Sequence, residues 1–267
     1  MKNNAYLNNF ADWLMSLKRL SLTNMFVVYN SCIVFKDYIN IDDSFFNNLS
    51  KKLIDKIEIY SLEKLIHTSR EQLIKYTLLS DHHNKLVEFI LNWIRYVRQN
   101  DLEVELSSLL PYFYMVEQNN SLPLFSDKTI LHSEENIKKI YALSLQNIIP
   151  KEKNNKLKIS DFEFNVLEAL MVYRLRKYDI VNASLLFRSL IYLDKANTHV
   201  MNSCLNYIKS QQNPLGYFGF YMKEIKNEDE IYTALKVSFE CVQTLLEYNY
   251  SSFRPDNLVR NKISNIS

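Results

Sequence analysis

An all-α fold is what this sequence predicts, and three observations predict it. Apolar residues recur at three-and-four spacing in nearly every window long enough to test. Clean two-residue alternation bounded by turn signals is missing. The only two glycines among 267 residues sit three apart, at Gly216 and Gly219, just after Pro214, where they mark a compact turn between two helices. With 47% hydrophobic and 13% aromatic residues, the chain can bury one substantial core or two modest ones.

Apolar spacing predicts helices near residues 5–20, 24–38, 44–58, 61–79, 84–99, 102–117, 134–148, 161–178, 181–193, 197–211 and 228–248. Asp43 and Ser44 stand at the start of the third, where caps and first-turn carboxylates are expected. In the helix near 161–178, Phe162, Val166, Leu167, Leu170, Met171 and Leu175 form the apolar face, and Arg174, Arg176 and Lys177 close the last turn, where the macrodipole favours cations. Ser160 and Glu163 have capping-box spacing, and Ile159 and Phe164 that of a hydrophobic staple. Asn227 and Glu230 repeat the capping-box spacing before the last helix, with Glu228 and Asp229 in its first turn.

Two stretches interrupt the periodicity, 118–129 with Pro123 and 150–158. They suggest an N-terminal helical region over 1–118, a linker or long loop over 119–133, C-terminal helices over 134–250 and a tail over 251–267; one continuous domain with long surface loops is the alternative. Short connections between consecutive helices imply antiparallel helical hairpins.

Composition narrows the function classes. The 32 basic and 30 acidic residues nearly cancel, and no basic run offers a footprint for nucleic acid. The start of the chain lacks the apolar core and cleavage site of a signal peptide. The most apolar window, 25–35, is broken by Asn30 and Ser31 and falls short of the ~18 to 20 residues that span a bilayer. No membrane partner is expected. Cys32, Cys204 and Cys241 are odd in number and widely spaced, which argues against a disulfide framework or a zinc site and fits a reducing cytoplasm. Abundant Lys, Asn and Ile suggest an AT-rich, bacterial genome.

In the run Ser203 to Gly219, an apolar helix end is followed by Gln211 and Gln212, then Pro214, Gly216, Tyr217, Phe218 and Gly219. This resembles the QW repeat of the terpene cyclase and protein prenyltransferase superfamily, over residues 197–248, with Phe218 where the family usually has Trp. The following helix, with Tyr232, Ala234, Leu235 and Val237, is similar to the one that succeeds the motif there. The resemblance implies a partial α/α toroid-like arrangement of hairpins. The layout is also similar to uncharacterised bacterial helical proteins found near natural-product biosynthesis genes. On physical grounds, Gly216 permits the reversal, the amide of Gln211 or Gln212 can satisfy free backbone groups, and Phe218 can pack over that layer.

Candidate chemistry is sparse. The nearest match to an Asp-x-Asp-Asp acid is Asn40-Ile41-Asp42-Asp43, which would cast Asp42 as a proton donor if its neighbour raised its pKa; a helix cap is the simpler role. His67 and Glu71 can share a helix face but lack a third ligand, and Asp81-His82-His83 diverge on a helix, so no metal is expected. Phosphate cradles and nucleophile elbows need glycines this chain does not have, and no cofactor is expected. Tyr112-Phe113-Tyr114 and Tyr217-Phe218 with Phe220-Tyr221 are expected to pack in a core, as are Cys204 and Cys241.

The expected function is a non-catalytic or accessory binding protein of a bacterial biosynthetic pathway, holding a small molecule, a peptide or a partner enzyme. A diverged terpene-cyclase-like or prenyltransferase-like enzyme and a helical-repeat regulator are the alternatives.

Overall fold

A computed structural model of the chain describes residues 5–35, 38–59, 133–145, 147, 159–195, 198–220, 222, 225 and 227–249. Among these every element is an α-helix: α1 (Ala5–Ser16), α2 (Leu22–Val34), α3 (Asp43–Ile59), α4 (Glu134–Leu145), α5 (Asp161–Arg176), α6 (Ile180–Tyr192), α7 (His199–Ser210) and α8 (Glu228–Asn249). The expected helices over 61–79, 84–99 and 102–117, the breaks at 118–129 and 150–158 and the tail over 251–267 lie outside the described residues. No described helix is long and apolar enough to cross a membrane.

The described residues form two compact units, one from 5–59 with 212–239, the other from 133–211 with 240–249. In the first unit, α1 buries Leu7, Phe10, Ala11, Trp13 and Leu14. It stops at Ser16, four residues before the periodicity suggests, because the Ser16 hydroxyl donates to the Trp13 carbonyl at 2.7 Å and Arg19 turns into the left-handed region at φ 56°. Ser21 caps α2, accepting from the Asn24 N–H at 3.3 Å. The Ser21 N–H in turn donates to the carboxylate of Glu228 at 3.0 Å, and the buried Asn24 amide donates to the Glu228 carbonyl at 3.0 Å. Tyr29 on α2 stacks on Phe46 of α3 with ring centroids 5.3 Å apart, and Phe35 meets Phe10 and Phe239 at 6.2 and 4.9 Å.

The glycine turn belongs to this unit. Asn213, Pro214, Leu215 and Gly216 occupy the four positions of a β-turn closed by the Gly216 N–H on the Asn213 carbonyl at 2.9 Å. An isolated antiparallel bridge between Gln212 and Phe218 closes it further. Both glycines need their freedom: φ is 102° at Gly216 and 110° at Gly219. The turn also docks on a helix some two hundred residues earlier in the chain. A Cβ on Gly216 would lie 2.1 Å from the Asn9 carbonyl oxygen of α1, and one on Gly219 would lie 3.3 Å from Val237 Cγ1.

In the second unit, α6 packs against both α5 and α4, and α7 against α5. The capping box at Ser160 and Glu163 is present, and on α5 Leu167, Leu170, Met171 and Leu175 are buried. Phe162, counted with that face, is instead 69% exposed. At 3.6 residues per turn it lies about 140° round the helix from Leu167, so the stripe has drifted past it. Asp179 caps α6 and Thr198 caps α7.

With glycine absent elsewhere, α5 and α6 end on other residues. After α5 the Asp179 N–H reaches the Arg174 carbonyl and the Tyr178 N–H that of Leu175; after α6 the Lys195 N–H reaches Leu190 and the Asp194 N–H reaches Ile191. These paired bonds are the Schellman pattern, with Tyr178 (φ 57°) and Asp194 (φ 55°) held in the left-handed region that glycine usually fills. Such a conformation costs an L-residue roughly 1–2 kcal/mol.

Two outcomes are expected in denaturant unfolding. Gly216→Ala should destabilise by about 3 kcal/mol or more, since it adds positive-φ strain to a clash with backbone. Asp194→Gly should stabilise by about 1 kcal/mol by removing that strain.

Candidate functional site

A cluster of buried ionisable residues sits inside the second unit. On α6, Ser184, Arg188 and Tyr192 recur every fourth residue and so share one helix face. On α8, Glu240, Gln243 and Glu247 do the same at i, i+3 and i+7. All six are buried, and Arg188 is completely enclosed.

The guanidinium Nη2 of Arg188 bonds Glu240 Oε2, and Nη1 stands 3.9 Å from Glu247 Oε1. Its Nε donates to the Ser184 carbonyl at 3.4 Å, and its Cζ lies 4.8 Å from the ring centroid of Tyr141 on α4. Glu247 receives the Tyr192 hydroxyl on Oε2 and the Gln243 amide on Oε1, the latter at 2.7 Å. Among the described residues, Arg188 Nη1 and Gln243 Oε1 have no hydrogen-bond partner.

Burial and charge set the protonation states. Burial alone would favour loss of the guanidinium proton, but Tyr141, Glu240 and Glu247 outweigh it and the Arg188 pKa rises above its ordinary value. Burial raises the Tyr141 and Tyr192 phenols, so both stay protonated, and Tyr192 donates to Glu247. Burial also pushes the Glu247 carboxyl up to about 7, against the opposing pull of Arg188, Tyr192 and Gln243. One buried cation thus faces two carboxyls, and the second binds or releases its proton near neutral pH. The sequence signal for this site is polar residues at helical spacing inside apolar runs, around Arg188 in 183–192 and around Glu240 in 238–247.

The residues anticipated from sequence lie elsewhere. Asp42 is the N-cap of α3: its Oδ1 accepts the Ser44 and Phe45 N–H groups at 2.7 and 3.2 Å. It is exposed, and its hydrogen bonds with Ser44, then Phe45, hold its pKa below the ordinary 3.8. Of the two glutamines, Gln211 is the C-cap of α7, while the Gln212 amide makes the clamp, donating to the carbonyls of Tyr6 and Gly216 at 2.8 Å each. Pro214 is exposed at the turn's tip. Phe218 is fully buried and its N–H donates to Ser238 Oγ at 2.8 Å; Tyr217, also buried, lies 5.2 Å from the Trp13 ring centroid. Phe220 is 69% exposed, unlike the core role expected of it. Cys32, Cys204 and Cys241 are free and buried. His67, Glu71, Asp81, His82, His83, Tyr112, Phe113, Tyr114 and Tyr221 lie outside the described residues. Among the described residues no group of three or more His, Cys, Asp or Glu is placed to hold a metal ion.

The chain matches no family model, no curated protein and no solved structure.

Glu247 binds its proton more tightly folded than unfolded, so its ionisation opposes folding. The Glu247 contribution to stability should therefore be greatest below about pH 4.5, fall as pH rises, and level off above about 7, with a change on the order of 3 kcal/mol. Denaturant unfolding of wild type and Glu247→Gln between pH 4.5 and 8 checks this: the variant should lose that slope.

Proposed function

We propose that this chain is a non-catalytic binding protein, accessory to a bacterial biosynthetic pathway and working in the cytoplasm, which holds a small molecule, a peptide or a partner enzyme on its helical surface. One observation carries this reading over a cyclase-like enzyme. Asp42, the residue best matched to a catalytic acid, is an exposed cap whose carboxyl is held ionised by Ser44 and Phe45. A proton donor needs the opposite shift. The motif residues support the same reading, because Gln212, Gly216, Tyr217 and Phe218 are committed to one another, to α1 and to Ser238. The proposal extends to architecture: the hairpins near 197–248 are part of an α/α toroid-like arrangement, as the resemblance to the QW repeat implies.

A second reading, an acid-using enzyme of terpene-cyclase-like or prenyltransferase-like descent, is favoured by Glu247, whose carboxyl is pushed up to about 7 and accepts the Tyr192 hydroxyl in a cluster that holds the Tyr141 ring. Native mass spectrometry of the purified full chain, wild type and Asp42→Ala, separates the two. The binding reading expects the same retained mass in both proteins, with the change confined to faster amide exchange at Ser44 and Phe45. A bound species that turns over in wild type and accumulates unreacted in Asp42→Ala or in Glu247→Gln would establish the enzyme. In a carboxyl NMR titration, Asp42 should titrate below 3.8, so its contribution to stability is present above that pH and lost as pH falls through its folded value.

A further inference from the structure

The outward side of α5 carries an exposed apolar pattern. Phe162, Val166, Ala169 and Tyr173 recur at i, i+4, i+7 and i+11, a single stripe along the helix. Phe162 is 69% and Tyr173 46% exposed, Asn165 and Ala169 are exposed, and Val166 is half-buried. At the basic end Lys177 Nζ lies 5.9 Å from the Tyr173 ring centroid, and no charged residue stands on the stripe between Phe162 and Tyr173. The ends themselves are opposite in sign: Asp161, whose side chain is 93% exposed, at the first turn, and the exposed Arg176 at the last.

We propose that this face binds a second copy of the chain, the two α5 helices running antiparallel about a two-fold axis at Ala169. A helix that is apolar in the middle, acidic at one end and basic at the other is complementary to itself only when reversed. Reversal places Asp161 beside Arg176 of the second copy, and by symmetry the same pair forms again at the other end. The lateral positions agree as well as the heights. Measured from Ala169 at 100° per residue, Asp161 lies about 80° and Arg176 about 20° to the same side, and the two-fold operation keeps that side while exchanging the ends. Phe162 lies about 20° to the other side, level with the guanidinium of the opposing Arg176, a geometry suited to cation–π contact. Ala169, the smallest side chain of the stripe, stands at the crossing and lets the helices approach. The antiparallel dipoles add to the attraction. Asp161 also has an exposed contact with Lys195 of its own chain at 3.2 Å, and one carboxylate can accept from both cations. A single helix pair is a small interface, so the association is weak and concentration-dependent.

Sedimentation equilibrium of the full chain, over loading concentrations up to about 1 mM, tests the proposal. Wild type should show a monomer–dimer equilibrium. Asp161→Lys and Arg176→Glu should each weaken it at least about tenfold, because each reversal turns two attractions into two repulsions. Phe162→Ser, which changes no charge, should weaken it as well. The decisive arm is mixing: D161K with R176E should regain association as a heterodimer, and the double variant D161K/R176E should regain it alone. A monomer at every concentration would overturn the proposal and leave the stripe to a different protein. A dimer indifferent to these reversals, or singly reversed variants that fail to pair on mixing, would also overturn it.

Discussion

Arg188 carries a charge that the second unit cannot discard. A guanidinium with no exposed surface must be compensated from inside, and the chain does so with two carboxyls, two phenols and a backbone carbonyl drawn from α4, α6 and α8. A substitution at any of these positions changes the electrostatics of the others, since each is buried where water cannot screen it. Such a cluster is weak evidence for stability, because desolvation offsets much of the Coulombic attraction. Its effect is on arrangement: α6 and the end of α8 are matched through specific polar partners rather than through apolar surface that tolerates slippage. The excess carboxyl over cation makes that match sensitive to acidity.

The first unit is organised by a different constraint, the approach of backbone to backbone. Gly216 lies against the Asn9 carbonyl at a distance that leaves no room for a side chain, and Gln212 fixes the approach by bonding both the turn and α1. The two glycines are thus spent where closeness as well as conformation requires them. At Tyr178 and Asp194, where only conformation is involved, other residues accept the strain and the paired end-of-helix bonds offset it.

Much of the fold was legible in the sequence, and the parts that were not share a physical reason. Periodicity and caps are local, so the helices near 44–58, 161–178, 181–193, 197–211 and 228–248 are found within three residues at each end, and Ser160, Glu163 and Asn227 act as their spacing suggests. Phe162 was misplaced because an apolar residue at helical spacing says nothing of how far round the stripe has turned. The docking of residues 212–219 on α1 was invisible, since a contact spanning some two hundred residues leaves no periodic trace. The buried cluster was missed for a related reason: Arg188, Glu240 and Glu247 each look like ordinary surface charges until their helices are brought together, although the apolar runs around them were a visible cue. At Asp42 the simpler of the two sequence readings, a helix cap, is the one its local geometry adopts.

The free thiols give each unit its own reporter of opening. Burial pushes Cys32 in the first unit up to about 12 and raises Cys241 in the second still further above the ordinary range. Alkylating reagents attack the thiolate, so at neutral pH neither sulfur reacts while its surroundings are closed. The rate at which each becomes labelled therefore follows the excursions that expose it, and a difference between the two rates would reveal whether the units breathe together or separately.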